Sequence, residues 1–391
     1  MVAAAAAGLS ACGSGDETQT AETPSRVEGR AVFARSCAGC HTLTAAGAKG
    51  RVGPDFDTSE LLSAKQIRRQ LTLGIGGMPS FRGRLSPREQ AAVTAFLASA
   101  MRDRERAPAR VRARSEGRLP APVQLPAAAP LAGGRVLLLG GLDAANTSVP
   151  TILATTGARS RRIGSLPVAL HDSAAATIGG RVYFFGGGGT SGSSDAILAV
   201  DDDGGTRPAG RLPVAASDVS AATVGGTAYV VGGYTGSEGL RSIVAFRPGA
   251  VATVVAQLPR PLRYAAVAAV GGRVLIAGGT SGVAAERDVL AFDPGTRRVT
   301  SLGRLPEPLT HASAAALGGA LYVIGGRAGS AGQQTSAILA VDPRTGRVRR
   351  AGGLPEPLSD TAAVGTAGGI LVLGGRDGSG RASDRVSTLG P

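Results

Sequence analysis

A repeat fills the C-terminal part of the sequence and limits the folds that the chain can adopt. Leu-Pro pairs recur roughly every 46–49 residues, and a Gly-Gly pair follows each of them after about 20 residues. The Leu-Pro pairs begin at Leu119, Leu166, Leu212, Leu258, Leu305 and Leu354, and the glycine pairs begin at Gly140, Gly186, Gly232, Gly278, Gly325 and Gly374. A repeat of this length predicts small units that bury their apolar faces only by stacking against one another.

Each repeat unit carries the signals of four short strands. In one unit, the apolar strand 320–324 precedes the glycine pair, and a further glycine pair at 318–319 marks the hairpin turn before it. Residues 337–341 and 346–350 follow as two more strands, with the turn 342–346 between them. Four-stranded units at this period are typical of β-propellers.

These features resemble the kelch family, whose members are β-propellers built from four-stranded blades. The resemblance implies an all-β, six-bladed kelch-like propeller over residues 109–391. The tryptophan that the family carries in a later strand is absent here, and the family's tyrosine is kept only as Tyr183, Tyr229 and Tyr322.

The ends of the repeat array predict how the propeller closes. Residues 111–118 lie where an outer strand would precede the first Leu-Pro pair, and residues 385–389 lie in the register of a third strand. We therefore expect the N-terminal stretch to supply the outer strand of the last blade. Closure of this kind removes an exposed sheet edge.

A second feature, the sequence Cys37-Ala38-Gly39-Cys40-His41, precedes the repeats. Two cysteines three residues apart, with a histidine directly after the second, form the attachment motif of c-type haem. The two thiols can reach the two vinyl groups when they project from one short helical turn. His41 then lies below the ring, where its imidazole can bind the iron.

Two cysteines at this spacing also fit three other interpretations. Cys37 and Cys40 could form a disulfide. A structural zinc site needs four protein ligands, and outside the motif the chain offers only Cys12, His171 and His311, all in other segments. A redox dithiol is typical of a βαβ context, which the sequence does not show.

Residues 27–101 resemble a small class I cytochrome c, so we expect a small all-α cytochrome c domain over residues 27–106. The resemblance covers the first and last helices, the CAGCH motif, the Gly-Pro turn and the GGMPSF segment. Ser63 is expected to cap a helix over 63–73, and Ser86 with Glu89 forms a capping box for the last helix. Phe33 and Phe96 are expected to pack where the two terminal helices cross.

The same resemblance implies two further site residues. The methionine of the Met-Pro turn is the second axial ligand in this family, and here that residue is Met78. The Pro54 carbonyl is expected to accept a hydrogen bond from the His41 ring and so fix its orientation. The sequence supports Met78 on its own, because Met101, the other methionine after Met1, lies on a helix face that predicts core packing.

The N-terminus resembles a bacterial lipoprotein signal. Residues 2–9 are apolar, and the lipobox Leu-Ser-Ala-Cys ends at Cys12, which in that family carries the lipid after cleavage. We assign residues 1–12 to this signal and the polar residues 13–26 to a disordered tether. The alternative is an alanine-rich tail without a role. Haem c attachment and lipidation both imply an extracytoplasmic protein, and the lipid would anchor it to the cell membrane.

The formal net charge of +14 comes almost entirely from arginine, since Lys49 and Lys65 are the only lysines. No arginine block alternates with the aromatic residues that base stacking requires, so the charge does not indicate nucleic-acid binding. A basic surface can attract acidic partners or an anionic membrane.

The start of the innermost strand of each unit carries two neighbouring residues that should surround one mouth of the propeller channel. These pairs are Gln124-Leu125, His171-Asp172, Ser217-Asp218, Arg263-Tyr264, Thr310-His311 and Ser359-Asp360. We expect His171 and His311 to face each other across the channel. The side chains either form a polar binding site or satisfy backbone groups of the turns.

Two functions fit these features. The first is an anchored electron-transfer protein with one covalent His/Met haem c, whose propeller docks an unidentified redox partner or binds a ligand. The second is an enzyme whose propeller uses copper or a quinone cofactor and passes electrons to the haem. A copper-radical site needs Tyr, Cys and His together, and no cysteine follows Cys40. The sequence therefore favours a carrier over a catalyst.

Overall fold

The computed structural model describes residues 26–56, 59, 62–105, 110–329 and 333–391. The chain divides into two compact units, Met1–Glu105 and Arg106–Pro391. The lipobox with Cys12, and nearly all of the expected tether, lie outside the described residues. Among the helices of the described ranges, none combines the length and the apolar character that a membrane span requires.

Within residues 26–56, 59 and 62–105, the first unit contains three helices: α1 (Arg26–Ser36), α2 (Ala64–Leu73) and α3 (Pro87–Glu105). A 3₁₀ turn, Thr44–Ala46, separates two short paired strands, Thr42–Leu43 and Ala48–Lys49. The structure therefore has the helices that the sequence predicts, with two small additions between the CAGCH motif and α2.

Side-chain caps begin the second and third helices. Ser63 Oγ accepts a hydrogen bond from the backbone N–H of Gln66, and the Ser63 N–H donates to Gln66 Oε1 at 2.8 Å. In the same way, the Ser86 N–H donates to Glu89 Oε2 at 2.8 Å, and the Glu89 N–H donates to Ser86 Oγ at 3.2 Å. Both predicted caps are confirmed, and each satisfies backbone donors that a helix start leaves unpaired.

Helices α1 and α3 cross at a glycine. A Cβ atom on Gly29 would overlap the Ala92 carbonyl oxygen and the Phe96 Cβ, so only glycine allows this approach. Phe33 and Phe96 pack edge to face at the crossing, with ring centroids 6.0 Å apart, which confirms the predicted contact. Met101 is fully buried in this core, as its place on the helix face predicts.

Within residues 110–329 and 333–391, the second unit contains six four-stranded antiparallel sheets. Sheet 1 contains Ala127–Pro130, Val136–Leu139, Thr151–Thr155 and Ser160–Ser165. Sheet 2 contains Ala174–Ile178, Arg181–Phe185, Ala196–Val200 and Thr206–Arg211. Sheet 3 contains Ser220–Val224, Thr227–Val231, Ser242–Phe246 and Thr253–Gln257.

The remaining sheets follow the same plan. Sheet 4 contains Ala266–Val270, Arg273–Ala277, Asp288–Asp293 and Arg298–Arg304. Sheet 5 contains Ser313–Leu317, Ala320–Ile324, Ala337–Val341 and Val348–Gly353. Sheet 6 contains Ala362–Thr366, Gly369–Leu373, Arg385–Gly390 and Arg112–Arg118.

Shorter elements connect the strands. These are the 3₁₀ turn Ala132–Gly134 and the two-residue strands Gly188–Gly189, Gly192–Ser193, Leu309–Thr310, Arg327–Ala328, Gln333–Gln334, Leu358–Ser359 and Arg376–Asp377.

Sheet 6 joins the two ends of the unit. Arg112 pairs with Gly390, and Arg118 pairs with Arg385, in antiparallel register. This pairing confirms the prediction that the N-terminal stretch supplies the outer strand of the last sheet. The first strands of the six sheets also contact one another in a closed cycle.

The Gly-Gly pairs join each sheet to the next. At the first glycine, whose φ is near +60°, a Cβ atom would overlap a backbone carbonyl oxygen of the following sheet, and the second glycine donates its N–H to that same oxygen. In sheet 4, for example, Gly279 donates to Leu309 at 2.8 Å. In sheet 6, the Gly375 N–H donates to the Val123 carbonyl at 2.8 Å, which joins the last sheet to the segment before the first one. The repeated glycines therefore form one side of every junction between sheets.

Candidate functional site

The CAGCH motif forms a helical turn at the end of α1. The Cys37 N–H donates to the Phe33 carbonyl at 2.9 Å, and the His41 N–H donates to the Cys37 carbonyl at 3.0 Å. This turn holds both thiols on the segment that leads directly into His41. Cys37 is buried, Cys40 is exposed, and both thiols are free. Burial, with a smaller contribution from Cys40, raises the pKa of the Cys37 thiol to about 11.

Three neighbours fix the imidazole of His41. Its Nδ1 lies 3.0 Å from the Pro54 carbonyl oxygen, the hydrogen bond that the sequence predicts. The Phe56 ring stacks on the imidazole with centroids 4.5 Å apart. A Cβ atom on Gly53 would overlap the ring at Cε1. Because Nδ1 donates its proton to Pro54, Nε2 keeps the lone pair that a metal ion can accept.

A tight turn between α2 and α3 presents Met78. The Met78 N–H donates to the Ile75 carbonyl at 2.9 Å, and the Ile75 N–H donates to the Met78 carbonyl at 3.2 Å. Gly74 and Gly76 have positive φ angles of 71° and 56°, which glycine adopts without strain. Ser80 Oγ donates to the Thr72 carbonyl at 2.7 Å and fastens the loop to α2.

One cavity of about 660 Å³ brings these groups together. Cys37, Cys40, His41 and Met78 all contribute to its wall. Apolar side chains complete the lining, among them Phe33, Val52, Phe56, Ile67, Leu71 and Leu97. An apolar cavity of this size, with an imidazole and a thioether as donors and two thiols beside them, fits a haem. No group of three or more His, Cys, Asp and Glu side chains in the described ranges could hold a metal ion by itself.

The second unit contains a ring of residues at the start of the six first strands. These ring residues are Leu125, Asp172, Asp218, Tyr264, His311 and Asp360, and all have positive φ angles between 51° and 60°. Backbone hydrogen bonds link them from sheet to sheet: the Asp360 N–H donates to the His311 carbonyl at 3.0 Å, and the Leu125 N–H donates to the Asp360 carbonyl at 2.8 Å. Together they line a cavity of about 150 Å³ at the centre of the unit.

The structure corrects one prediction about this ring. His171 is not among the residues that line the central cavity, so His171 and His311 do not face each other across it. The reason is their position: His311 is the second residue of its pair, and the equivalent residue in sheet 2 is Asp172. His171, the first of its pair, instead places Nδ1 2.8 Å from Ser148 Oγ.

The central cavity has an acidic side and an aromatic side. Tyr264 and His311 stack with ring centroids 3.8 Å apart. Asp218 pairs with Arg263 at 2.5 Å, and Asp360 pairs with Arg327 at 2.7 Å. Burial lowers the pKa of His311 to about 4, against the opposing effect of Asp360. These ion pairs could not be located from sequence spacing, because Arg263 and Arg327 occupy different positions within their repeats.

Comparisons with known proteins agree with the two units. Residues 25–97 match the family model described as cytochrome C oxidase, cbb3-type, subunit III, and residues 261–306 and 308–355 match the model of the Kelch motif. No curated protein matches the chain. A solved structure titled "Structure of YjhT", a kelch-type propeller, is similar to the chain at 15% identity with a TM-score of 0.60. The alignment covers 70% of this chain and 99% of that one.

The chain thus combines a cytochrome c-type domain with a kelch-type propeller. The first domain implies a haem cofactor and suggests electron transfer. The kelch motifs suggest interaction with another protein.

Proposed function

We propose that this protein is an extracytoplasmic electron carrier with one covalently bound haem c. The observation that supports the proposal is the shared cavity of Cys37, Cys40, His41 and Met78. Cys37 and Cys40 would form the thioether bonds, while His41 Nε2 and Met78 Sδ would hold the iron. When bound, the haem supplies one-electron chemistry.

The protein's residues control how that chemistry is used. If His41 and Met78 both held the iron, oxygen would find no free position on it, which would favour electron exchange over oxygen activation. Pro54 and Phe56 hold the imidazole in one orientation, and the apolar wall of the cavity would keep water away from a bound haem. A thioether ligand and a dry cavity both favour the reduced state and so raise the reduction potential.

The propeller would serve as the module that docks a redox partner or binds a ligand. We interpret its six sheets as six blades of a kelch-type propeller. We also propose that Cys12 carries a lipid that anchors the protein to the cell membrane. Replacing Cys12 with alanine should then move the protein from the membrane fraction to the soluble fraction. Continued membrane attachment of Cys12→Ala would contradict the anchor and leave the haem proposal intact.

The haem proposal can be tested with protein purified from cells that attach haem c. We expect one haem per chain that survives denaturation, and the sharp visible bands of a reduced low-spin haem. Met78→Ala should open the iron to carbon monoxide, whereas the matched variant Met101→Leu should stay closed, because Met101 is buried in the helix core. A Met101 variant that opens the iron while Met78→Ala does not would overturn the ligand assignment.

The same sample distinguishes a carrier from a propeller enzyme. Stoichiometric copper or calcium, or a second chromophore besides the haem, would favour an oxidoreductase that passes electrons to the haem. Metal analysis and a visible spectrum are sufficient for this comparison.

A further inference from the structure

The acidic side of the central cavity carries more negative than positive groups. Three ring carboxylates, Asp172, Asp218 and Asp360, have side chains only 7%, 3% and 0% exposed. Two guanidinium groups, Arg263 and Arg327, neutralise Asp218 and Asp360. Three carboxylates against two guanidinium groups leave the charge of Asp172 without a balancing cation.

Neither arginine is free to turn toward Asp172. The Arg263 guanidinium lies 3.8 Å from the centroid of the Tyr234 ring while it pairs with Asp218. Arg327 bonds Asp360 Oδ2 at 2.7 Å and lies 3.4 Å from Ser359 Oγ. Each guanidinium group is therefore held at its own carboxylate.

The histidine next to Asp172 does not balance it either. His171 Nε2 lies 3.7 Å from Asp172 Oδ2, beyond hydrogen-bond distance. Burial lowers the pKa of His171, against the opposing effect of Asp218. A neutral imidazole at this distance supplies no charge.

One of these buried carboxylates also has an unused acceptor atom. Asp360 Oδ1 is buried without a hydrogen-bond partner among the described residues, and His311 Nε2 lies 3.9 Å from it. Burial, and then the neighbouring Asp218 and Asp360, raise the pKa of Asp172 well above its usual value. Arg263 and Arg327 oppose that change from their paired positions. Buried carboxylate oxygens without donors are costly, so the site suits a ligand that brings both N–H groups and positive charge.

We propose that the central cavity binds a primary ammonium group beside Asp172, with Asp360 Oδ1 as a second acceptor. The stacked rings of Tyr264 and His311 provide a flat surface for a short apolar body. A cavity of about 150 Å³ admits a small amine or a single lysine side chain, and it is well below the roughly 300–1,000 Å³ of drug-sized sites. The site does not suit an anion, because three carboxylates would repel it and both arginines are already paired with aspartates.

The test uses the full-length protein with its haem and follows binding by titration calorimetry at neutral pH and low salt. The probe is propylammonium chloride, compared with 1-propanol, which has the same size without the charge, and tetramethylammonium, which has the charge without N–H donors. We expect saturable binding of propylammonium, at least about tenfold tighter than either comparison compound. Absence of saturable binding, or equal binding of 1-propanol, would overturn the proposal.

Asp172→Asn removes the charge and keeps both the size and the preference for a positive φ. This variant should bind propylammonium at least about tenfold more weakly. The matched control is Asp202→Asn in the same unit, whose side chain is 67% exposed, and it should bind as the unaltered protein does. Equal binding by the Asp172 and Asp202 variants would place the amine elsewhere and end the proposal.

Two further measurements complete the design. The visible spectrum must not change when the amine is added, since a shift would mean that the amine binds the iron instead. N-acetyl-lysine amide tests the source of the ammonium group: binding tighter than that of propylammonium indicates a lysine side chain of a partner protein, and weaker binding indicates a free amine. The proposal does not depend on the electron-carrier function, because all its groups lie in residues 106–391.

Discussion

The imidazole of His41 lies face to face with the phenyl ring of Phe56, at a centroid distance of 4.5 Å and an interplanar angle of 18°. Phe56 also contacts Phe33 edge to face, with ring centroids 6.2 Å apart. Phe33 in the helix core therefore holds the Phe56 ring in place against His41. With the Pro54 hydrogen bond, this stack leaves the imidazole one orientation.

Replacing Phe56 with leucine should therefore loosen His41. We expect a shift in the electron paramagnetic resonance signals of the oxidised haem, and a loss of about 1–3 kcal/mol in the free energy of unfolding. The matched control is Phe81→Leu, since Phe81 lines the same cavity. Equal spectral shifts in both variants would contradict a specific role for the stack.

Gly53 gives a second test of the same orientation. In Gly53→Ala the added Cβ would overlap His41 Cε1, so the imidazole or the loop must move. Overpacking of this kind costs about 1–3 kcal/mol, and the displaced ring should lower the haem content of the purified protein. Gly39→Ala, within the CAGCH turn, meets nothing within 4 Å and should retain full haem content. Absorbance of the denatured haem in pyridine measures both.

The junctions between sheets predict unequal effects for two glycines with the same backbone angle. Gly278 has a φ of 62° and meets the Leu309 carbonyl oxygen, whereas Gly271 has a φ of 58° and open space around it. Gly271→Ala should cost about 1 kcal/mol for the strained backbone. Gly278→Ala should cost at least about 2–3 kcal/mol, because it also separates sheets 4 and 5. Urea unfolding compares them, and equal losses would contradict the proposed junction.

The two thiols should differ in reactivity before haem is attached. The pKa of Cys37 is raised to about 11, and the reactive species is the thiolate. In folded protein without haem, iodoacetamide should alkylate the exposed Cys40 first. Below a pH of about 11, the rate at Cys37 should rise about tenfold for each pH unit. Peptide mass spectrometry identifies the labelled residue, and equal early labelling would show that Cys37 is not buried in this form.

Much of this molecule can be predicted from local sequence signals. The Leu-Pro and Gly-Gly repeat predicts the strand units, and the register of residues 111–118 predicts the closing strand. Ser63 and Ser86 predict the starts of their helices because each cap joins residues only three positions apart. The CAGCH motif likewise places two thiols and a histidine on one helical turn, because all three lie within five consecutive residues.

Several contacts between distant segments could not be predicted from the sequence. The close approach of Gly53 to the His41 ring depends on how the loop folds back over the CAGCH motif. The spacing of these residues in the sequence does not indicate that approach. The repeats show that the glycine pairs recur, but not that each pair meets a carbonyl of the next sheet. His171 and His311 differ by one position within their repeats. That difference places His311 in the wall of the central cavity and His171 beside Ser148.

The pairing of Arg112–Arg118 with Arg385–Gly390 also orders events during synthesis. The first strand of the propeller to be synthesised can pair only after the last strand has been made. Across the same pairing, Arg118 donates to Asp384 over a separation of 266 residues. Contacts of such long range slow folding, while the helical unit needs only neighbours within its own segment. The helical unit can thus fold before the ring of sheets closes, and the strand Arg112–Arg118 stays unpaired until Arg385–Gly390 has been made.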